Sequence, residues 1–265
     1  MKLKPVRAKK DIALDDDDAA LDTGKSEKEL ERATEKQVRR IAELQPVFYA
    51  DARYALLIVL QGRDASGKDG VIRKVFTAVN PQGCAISSFK RPTELELHHD
   101  FLWRIHHQIP PRGMIGIFNR SHYEDVIVPV VRETLPKKTV AARYEQINDF
   151  ERMLTANDVV ILKFFLHVSR DEQKKRLQER LENPSKNWKF NPGDLDDRKN
   201  WNKFTKAYET MLEETSTPDA PWYIVPADDN DTRNLLIART IADTLDDLEL
   251  EFPKIDAELK KVKIE

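Results

Sequence analysis

The sequence contains a single cysteine, Cys84, among its 265 residues. One cysteine cannot form an internal disulfide, and without a second thiol nearby it cannot build a thiolate metal cluster. Its neighbours Ala85 and Ile86 indicate an inert thiol on a strand, because free cysteines are usually buried. The hydrophobic content of 40% is nevertheless enough to bury a substantial core, in one large domain or two small ones.

Long apolar runs are also missing. No segment approaches the roughly 20 consecutive apolar residues that a helix needs to cross a bilayer. The first 18 residues carry basic side chains without a hydrophobic segment behind them, which does not fit a signal peptide. These absences predict a soluble, cytoplasmic protein with no membrane partner.

The formal net charge is only -2, but the charges are unevenly distributed. Acidic residues collect in Asp15 to Asp18, whereas the stretch from Arg170 to Lys206 holds eleven Lys or Arg against seven Asp or Glu. A charge run is most often a solvated helix face. This stretch therefore does not by itself identify an anionic partner.

The order of patterns along the chain predicts an α/β fold. Residues 1–25 are polar and aperiodic, which is typical of a flexible arm. Residues 26–50 predict a helix that starts at Ser26, with Glu29 at capping-box spacing. Four apolar runs then alternate with helical patterns, as parallel strands covered by helices on both faces require; the runs lie at 55–60, 114–118, 159–168 and 222–225. We expect the intervening helices at 68–79, 94–108, 139–156, 170–183, 197–215 and 231–249.

The strongest local motif is Gly62-x4-Gly67-Lys68, which follows the first strand and precedes a helical pattern. In that setting, glycines let backbone N–H groups converge on phosphate oxygens, and the helix N-terminus and the lysine stabilise the negative charge. A tight structural turn is the alternative interpretation, but it needs no lysine. The motif predicts a phosphate-binding loop that includes Ala65 and Ser66.

Position 69 departs from the usual pattern, because Asp69 stands where most phosphate loops have a magnesium-binding Ser or Thr. Metal ligation must then come from elsewhere. Asp64, within the loop, is the obvious candidate, since a hard cation prefers carboxylate oxygen. A role as a simple turn cap is its alternative.

A second polar motif, Asn119 to Asp125, follows the 114–118 strand. Ligands bind at the carboxyl ends of strands in open α/β sheets. Arg120 can bridge donor and acceptor phosphates, and Glu124 can hold magnesium or its water. A plain helix cap is the competing interpretation. His122 adjoins this motif, but a covalent phosphohistidine is not expected there.

A third feature is the basic stretch itself, in which Trp188 and Trp201 are interleaved with Lys and Arg. Kinases need a closing element that excludes water and brings arginine to the transferring phosphoryl group. The stretch precedes the last strand and breaks its helical pattern at Asn191-Pro192-Gly193. A lid over residues 170–215 is predicted, within a domain of residues 51–250 that a tail of residues 251–265 follows.

Several longer segments resemble the type-2 polyphosphate kinase family. They include QGRDASGKDGVIRKVF, FNRSHYEDVIV, ILKFFLHVSRDEQKKRLQERL and DLDDRKNW, and the resemblance covers about residues 30 to 250. It implies a three-layer, thymidylate-kinase-like P-loop kinase fold with a parallel sheet and a helical lid. It also implies magnesium-dependent phosphoryl transfer between inorganic polyphosphate and AMP or ADP, with manganese as an alternative metal and GMP or GDP as further acceptors.

The resemblance also implies the roles of individual residues. Catalytic roles fall to Asp64, Lys68, Arg120 and Glu124, of which Asp64 and Glu124 would hold the metal. Phosphate binding falls to the loop residues, including Asp69, and to a basic groove formed by Arg73, Lys74, Lys90 and Arg91. Nucleotide binding and lid closure fall to Asn119, Arg120, Arg176, Arg180 and Lys189. Asn119 replaces an Asp of related subgroups, so a role there cannot depend on a negative charge.

Two other functions are open on the sequence alone. The nearest is a nucleoside monophosphate kinase that uses ATP as its donor, since it would share the core and the loop. A non-catalytic polyanion-binding protein is the other, although no nucleic-acid fold signature accompanies the basic residues. We expect a homo-oligomer, a dimer or a tetramer, with no nucleic acid partner.

Overall fold

The computed structural model describes residues 2–6, 11–254 and 264. The first long element is helix α1, Glu27–Asp51, which starts as predicted after Ser26, whose backbone N–H donates to Glu29 Oε2 at 2.9 Å. Most of the predicted tail, residues 255–263 and 265, lies outside the described residues. Within the described ranges, no helix is both long and apolar enough to cross a membrane.

Five parallel strands form one sheet: β1 (Ala55–Gly62), β2 (Cys84–Ser88), β3 (Ile115–Asn119), β4 (Val159–His167) and β5 (Trp222–Pro226). Their spatial order is β2-β3-β1-β4-β5, so β1 lies at the centre between β3 and β4. From β1 the chain passes to β2 at one edge, returns to β3 beside β1, and then crosses to β4 and β5 on the other side, so a crevice opens at the carboxyl end of β1. The register places Leu60 beside Asn119 and Gly62 beside Leu166 across that crevice.

Helices cover both faces of the sheet and bury one apolar cluster on each. The remaining helices are α2 (Lys68–Val75), α3 (Glu94–Leu97), α4 (Trp103–His106), α5 (Glu124–Arg132), α6 (Lys137–Thr155), α7 (Arg170–Glu182), α8 (Gly193–Lys199), α9 (Trp201–Thr215) and α10 (Asn230–Asp247). Residues of α5, α6 and α9 pack on one face, and residues of α1, α2 and α10 on the other. The three-layer α/β architecture predicted from the alternating patterns is confirmed.

All four apolar runs form strands, and Cys84 begins a fifth at the sheet edge. Burial raises the pKa of the Cys84 thiol to about 11, so it stays protonated near neutral pH, as expected of an inert thiol. Helix α5 is the main element that the sequence patterns missed. This helix contains Pro129, which has no N–H to donate to the Asp125 carbonyl, and that carbonyl accepts from Arg143 Nη1 at 2.7 Å instead.

Two predicted helices are wrong as continuous elements. The segment 94–108 contains two single-turn helices, because the Asp100 carboxylate accepts the Leu102 N–H at 3.0 Å and starts a new turn. The segment 197–215 is interrupted at Asn200, whose side-chain amide donates to the Asp196 carbonyl at 2.9 Å. Helix α2 also ends at Val75, four residues before the predicted end at 79.

The described residues of the predicted arm run along α9 and β5. The Val6 N–H donates to the Trp222 carbonyl at 2.8 Å, and the Leu14 N–H donates to Glu209 Oε1 at 3.1 Å. A short 3-10 helix, Asp16–Ala19, follows. The Asp228 N–H donates to the Ala19 carbonyl at 3.0 Å, which brings the arm beside the turn that precedes α10.

Candidate active site

The loop between β1 and α2 has the backbone geometry of an anion cradle. Gly62 and Gly67 have φ values of +150° and +99°, where a side chain is strained. A Cβ on Gly62 would also come within 2.7 Å of the Leu166 carbonyl oxygen on β4. These two glycines let the chain leave the sheet tightly and point the N-terminus of α2, with its unpaired N–H groups, at the end of the crevice.

Lys68 is the first residue of α2, and its side chain folds back over the loop. Its Nζ donates to the Gly62 carbonyl at 2.7 Å and to the Arg63 carbonyl at 3.1 Å. Burial, reinforced by the charge of Arg120, lowers the pKa of Lys68 to about 8. Its hydrogen-bond partners within the described residues are neutral carbonyls, so an incoming anion would further stabilise the ammonium.

Ser66 lies in the same loop. Its Oγ is buried and has no hydrogen-bond partner within the described part of the chain. A buried hydroxyl in a phosphate-loop turn is suited to donate to an anion. The predicted cradle residues from 62 to 68 thus lie together around one turn.

The second motif meets this loop from β3. Arg120 has a left-handed φ of +62°, and its N–H donates to the Leu60 carbonyl at 3.1 Å, which fixes the turn against β1. Its guanidinium pairs with Asp64 and lies 3.8 Å from Glu124 Oε2. Gln61 Nε2 also donates to Glu124 Oε1. The structure therefore brings Asp64, Lys68, Arg120 and Glu124 into one group, here called the site charge cluster.

The charges within this cluster shift the pKa values of its own members. Burial alone would raise the pKa of Asp64, but the positive charges of Arg120, Lys68 and Arg180 together hold it below its ordinary value. Burial lowers the pKa of Arg120, but the carboxylates of Glu124 and Asp64 raise it by more, so the net change is a rise. Asp64 is therefore ionised and Arg120 charged at neutral pH, and the Arg120 guanidinium lies beside two carboxylates, those of Asp64 and Glu124.

A small cavity of about 60 Å³ opens beside the cluster. Its walls combine loop residues, the second motif and the lid: Gly62, Arg63, Asp64, Arg120, Glu124, Val128, Gln173, Asp197, Phe204 and Tyr208. The site is therefore built between the carboxyl ends of β1 and β3 and the helices that follow β4.

Asp64 and Glu124 form a pair of carboxylates that could bind a magnesium ion, although they do not form a site in which protein ligands alone surround the metal. Among the described residues, no group of three or more His, Cys, Asp or Glu is arranged to hold a metal. Magnesium, however, is usually bound through one or two carboxylates, with substrate phosphates and water completing its octahedron. Two carboxylates that face one cavity and share a single arginine match that donor set.

The Asp69 carboxylate, which stands where most phosphate loops have Ser or Thr, accepts hydrogen bonds from two neighbouring side chains. Asn119 Nδ2 donates to Asp69 Oδ1 at 2.8 Å, and Lys189 Nζ of the lid segment reaches Asp69 Oδ2 at 3.3 Å. Burial opposes ionisation of Asp69, but these two donors lower its pKa. Asn119 thus acts as a donor toward a carboxylate, a contact that an Asp at position 119 would turn into repulsion.

The other predicted binding residues lie in different places. Arg176 donates to backbone carbonyls of Ala65 at 3.0 Å and Ala227 at 2.8 Å, so it faces the loop itself. Arg180 Nη1 donates to Asp194 Oδ2 at 3.3 Å. Lys74 pairs with Glu31 of α1 at 3.3 Å. The described walls of the cavity do not include the predicted groove residues Arg73, Lys74, Lys90 and Arg91.

Sequence reasoning missed several contacts that join the loop to the lid. Arg63 stacks on the Trp201 ring, with its guanidinium carbon 3.7 Å from the ring centroid, and donates to Thr205 Oγ1 at 2.5 Å. Gln173 Nε2 donates to the Asp64 carbonyl at 3.1 Å. The only signal in the sequence was the tryptophan within the basic stretch. His122 is buried, with 1% exposure, and its ring packs near Tyr123 and Phe150.

A strand, a glycine-rich turn with a lysine, and an arginine-carboxylate cluster at the central strand of a parallel sheet together define a P-loop kinase. Comparison with known proteins then fixes the family. The family model described as Polyphosphate kinase 2 (PPK2) matches residues 24–253, and the chain belongs to this family. The resemblance inferred from the sequence motifs is thereby confirmed.

Relatives and solved structures agree with this assignment. The AMP/ADP-polyphosphate phosphotransferase of Meiothermus ruber is 50% identical over 227 residues, which cover 86% of this chain and 85% of the relative. The ADP-polyphosphate phosphotransferase of Rhodopseudomonas palustris is 46% identical, over 82% of this chain and 80% of the relative. The crystal structure of Polyphosphate Kinase 2 from Arthrobacter aurescens TC1 superposes with a TM-score of 0.83 at 41% identity, covering 86% of this chain and 83% of that one.

Proposed function

We propose that this protein transfers a phosphoryl group between inorganic polyphosphate and AMP or ADP, forming ADP and then ATP, in a magnesium-dependent reaction. GMP and GDP are further candidate acceptors. The observation that carries the proposal is the site charge cluster, in which a loop lysine and an arginine stand beside two carboxylates at the end of the central strand. Relatives of about half-identical sequence are named for this activity.

The proposed roles follow from the contacts of each residue. The N–H groups of the loop and Lys68 bind the terminal phosphate of the polymer, because they supply positive charge and the hydrogen bonds of Lys68 go only to neutral carbonyls. An oxygen of the acceptor's terminal phosphate forms a bond to the terminal phosphorus of the polymer. The bridging P–O bond of the polymer breaks, and a chain one phosphate shorter leaves. Arg120 stabilises the negative charge on the transferring group.

Asp64 and Glu124 would hold the metal, which when bound neutralises phosphate charge and orients the phosphates. Arg120 lies beside both of these carboxylates and would stabilise the phosphoryl group next to them. Arg180 and Lys189, both on the lid segment, are proposed to contact the acceptor nucleotide when the lid closes. The cytoplasmic location and the homo-oligomeric state remain predictions.

The test is an assay for ATP formed without any other phosphoryl donor. Purified protein is incubated with ADP, magnesium and polyphosphate, and ATP is measured by luminescence. ATP formation is expected with all three components and not when polyphosphate is omitted. Absence of ATP would overturn the proposal, and ADP formed from ATP and AMP alone would instead support an ATP-dependent monophosphate kinase.

The same assay with AMP in place of ADP tests the breadth of acceptors. Stepwise conversion of AMP to ADP and then to ATP is expected. Formation of ATP from ADP but no product from AMP would restrict the acceptor to nucleoside diphosphates. Binding of polyphosphate with no product from any nucleotide would identify a non-catalytic polyanion-binding protein.

A further inference from the structure

Three consecutive carbonyls of the phosphate loop are engaged by side chains from two distant helices. Gln173 Nε2 donates to the Asp64 carbonyl at 3.1 Å, and Arg176 Nη1 to the Ala65 carbonyl at 3.0 Å. Arg233 Nη1, from α10, lies 3.4 Å from the Ser66 carbonyl. These three side chains, here called the carbonyl clamp, come from α7 and α10 and lie more than 100 residues from the loop in sequence.

The clamp has a direct consequence for where the loop amides point. A trans peptide unit carries its C=O and N–H on opposite sides. When Arg176 and Arg233 hold the carbonyls of residues 65 and 66, the N–H groups of Ser66 and Gly67 must face away from these arginines. The Ser66 N–H donates to the Arg63 carbonyl within the turn at 3.2 Å. The Gly67 N–H makes no hydrogen bond within the described residues and is left for an anion.

Arg233 is the most unusual member of the clamp. It is buried, with 2% exposure, and its other partners are neutral: Asn230 Oδ1 at 2.6 Å and Asn234 Oδ1 at 3.0 Å. No carboxylate forms an ion pair with it within the described ranges. A Cβ added at Gly67 would overlap its guanidinium, so the glycine also permits this close approach.

A buried guanidinium without a counterion is costly to the fold unless it meets an anion. Burial, and then the neighbouring charge of Arg176, lower the pKa of Arg233 to about 10, although the more distant carboxylates of Asp229 and Asp231 partly oppose the shift; the guanidinium therefore remains charged at neutral pH. Arg176 is paired with Glu172, whose Oε1 lies 2.9 Å from its Nε, so Arg233 is the less compensated of the two positive charges beside the loop. Asn230 and Asn234 hold the Arg233 guanidinium in place without neutralising it.

We propose that Arg233 is a positioning residue of the phosphate loop: together with Arg176 it fixes the loop carbonyls, and by holding the Ser66 carbonyl it orients the Gly67 N–H toward the polyphosphate end and strengthens the positive potential there. This inference rests on the proposed function, in which polyphosphate binds at this loop. It also gives Arg176 a role different from contact with the acceptor nucleotide. The expected signature is a selective loss of polyphosphate binding with little change in nucleotide binding.

The test compares Arg233→Met with Arg233→Lys in the full-length protein. The probe is inorganic tripolyphosphate, and its Kd is measured by calorimetry in the absence of nucleotide. Arg233→Met is expected to raise this Kd about tenfold, the weight of a charge-assisted contact. Arg233→Lys keeps the charge and should recover part of the loss. In steady-state assays, KM for polyphosphate should rise by a similar factor while KM for ADP changes less than about twofold.

Leu245→Ala is the control, because Leu245 is buried on the same helix, far along it from the loop. It should lower the melting temperature without altering the Kd for tripolyphosphate. If wild-type protein forms ATP but Arg233→Met binds tripolyphosphate within twofold of wild type, the inference fails and the proposed function stands. Equal losses for tripolyphosphate and ADP would also overturn it. If wild-type protein forms no ATP, the proposed function itself has failed.

Discussion

Two groups of charged side chains in this molecule differ in how completely they are paired. In the core, Lys163 Nζ donates to Glu151 Oε2 at 2.6 Å, to Tyr123 Oη at 2.9 Å and to the Thr215 carbonyl at 2.7 Å. We call Tyr123, Glu151 and Lys163 the core charge cluster. In the site charge cluster, by contrast, two carboxylates share Arg120, and Lys68 meets only carbonyls.

The difference shows which charges serve structure and which are available to a ligand. All three donors of the buried Lys163 ammonium are used, and burial lowers its pKa while Glu151 opposes that shift. The ammonium has no N–H left to donate to a ligand, so this pair serves the structure alone. The site charge cluster faces a cavity. Its carboxylates can still bind a cation, and its lysine and arginine can still bind an anion. Substitutions should therefore change activity in one cluster and stability in the other.

The largest effect is expected from Lys68→Ala. The substitution removes the only ammonium of the site charge cluster, and turnover should fall at least about 10³-fold, by the usual weight of such electrostatic contacts. The fold should stay intact, because Lys68 forms no ion pair that holds two elements together. ATP formation from ADP and polyphosphate, together with a thermal melt, measures both properties. Near-normal turnover would exclude the site assignment.

Lys163→Met should produce the opposite pattern. It removes the buried lysine that balances the Glu151 carboxylate, which then keeps, among the described residues, only the Tyr123 hydroxyl at 2.6 Å and the His122 ring at 3.5 Å, and this costs about 3 to 5 kcal/mol of unfolding free energy. Urea unfolding measures this loss, while the fraction that remains folded should still form ATP. The matched control is the double variant Lys163→Met with Glu151→Leu, which removes both charges and should recover most of the stability. A loss below about 1 kcal/mol for the single variant would contradict the structural role of the core charge cluster.

Glu124→Gln sharpens the comparison within the site itself. The amide keeps the size of the side chain but loses the negative charge proposed to hold magnesium, so kcat/KM should fall about 10²-fold. The magnesium concentration at half-maximal rate should rise. Stability should stay within about 1 kcal/mol of wild type, in contrast to Lys163→Met. An unchanged magnesium requirement would remove Glu124 from the metal site.

Much of the fold could be predicted because its signals are local. Apolar runs marked the strands of the parallel sheet, and the turn at Gly62 and Gly67 follows directly from the position of a strand, a loop and a lysine. The broken helices were missed because single side chains, Asp100 and Asn200, compete with the helical hydrogen bonds. Periodicity alone does not report such competition.

The site was only partly predictable for a different reason. Asp64, Lys68, Arg120 and Glu124 lie in two short motifs, so their proximity followed from a parallel sheet whose strands end at one edge. Arg233 looks like an ordinary surface charge in the sequence, and Lys163 is a lone charge within an apolar run, yet both are buried. The Ser66 carbonyl contacted by Arg233 and the Thr215 carbonyl contacted by Lys163 lie far away in the chain, and a single sequence carries no record of which distant residues meet.

The smallest effect, and the last way to separate the two clusters, is the pH dependence of polyphosphate binding. Lys68 has a pKa of about 8 in the free protein, because burial disfavours its charge. A bound polyanion favours the ammonium and raises that pKa, so binding above pH 8 must take up a proton. The affinity for tripolyphosphate should therefore fall as pH rises, by about twentyfold between pH 7.5 and 9.5 if the bound pKa returns to its ordinary value near 10.4. Calorimetry across that range measures it. Lys68→Arg should abolish the pH dependence, since arginine stays charged throughout. The Lys163→Met variant is the control and should retain it. A pH dependence that survives in Lys68→Arg would assign the titration to another group.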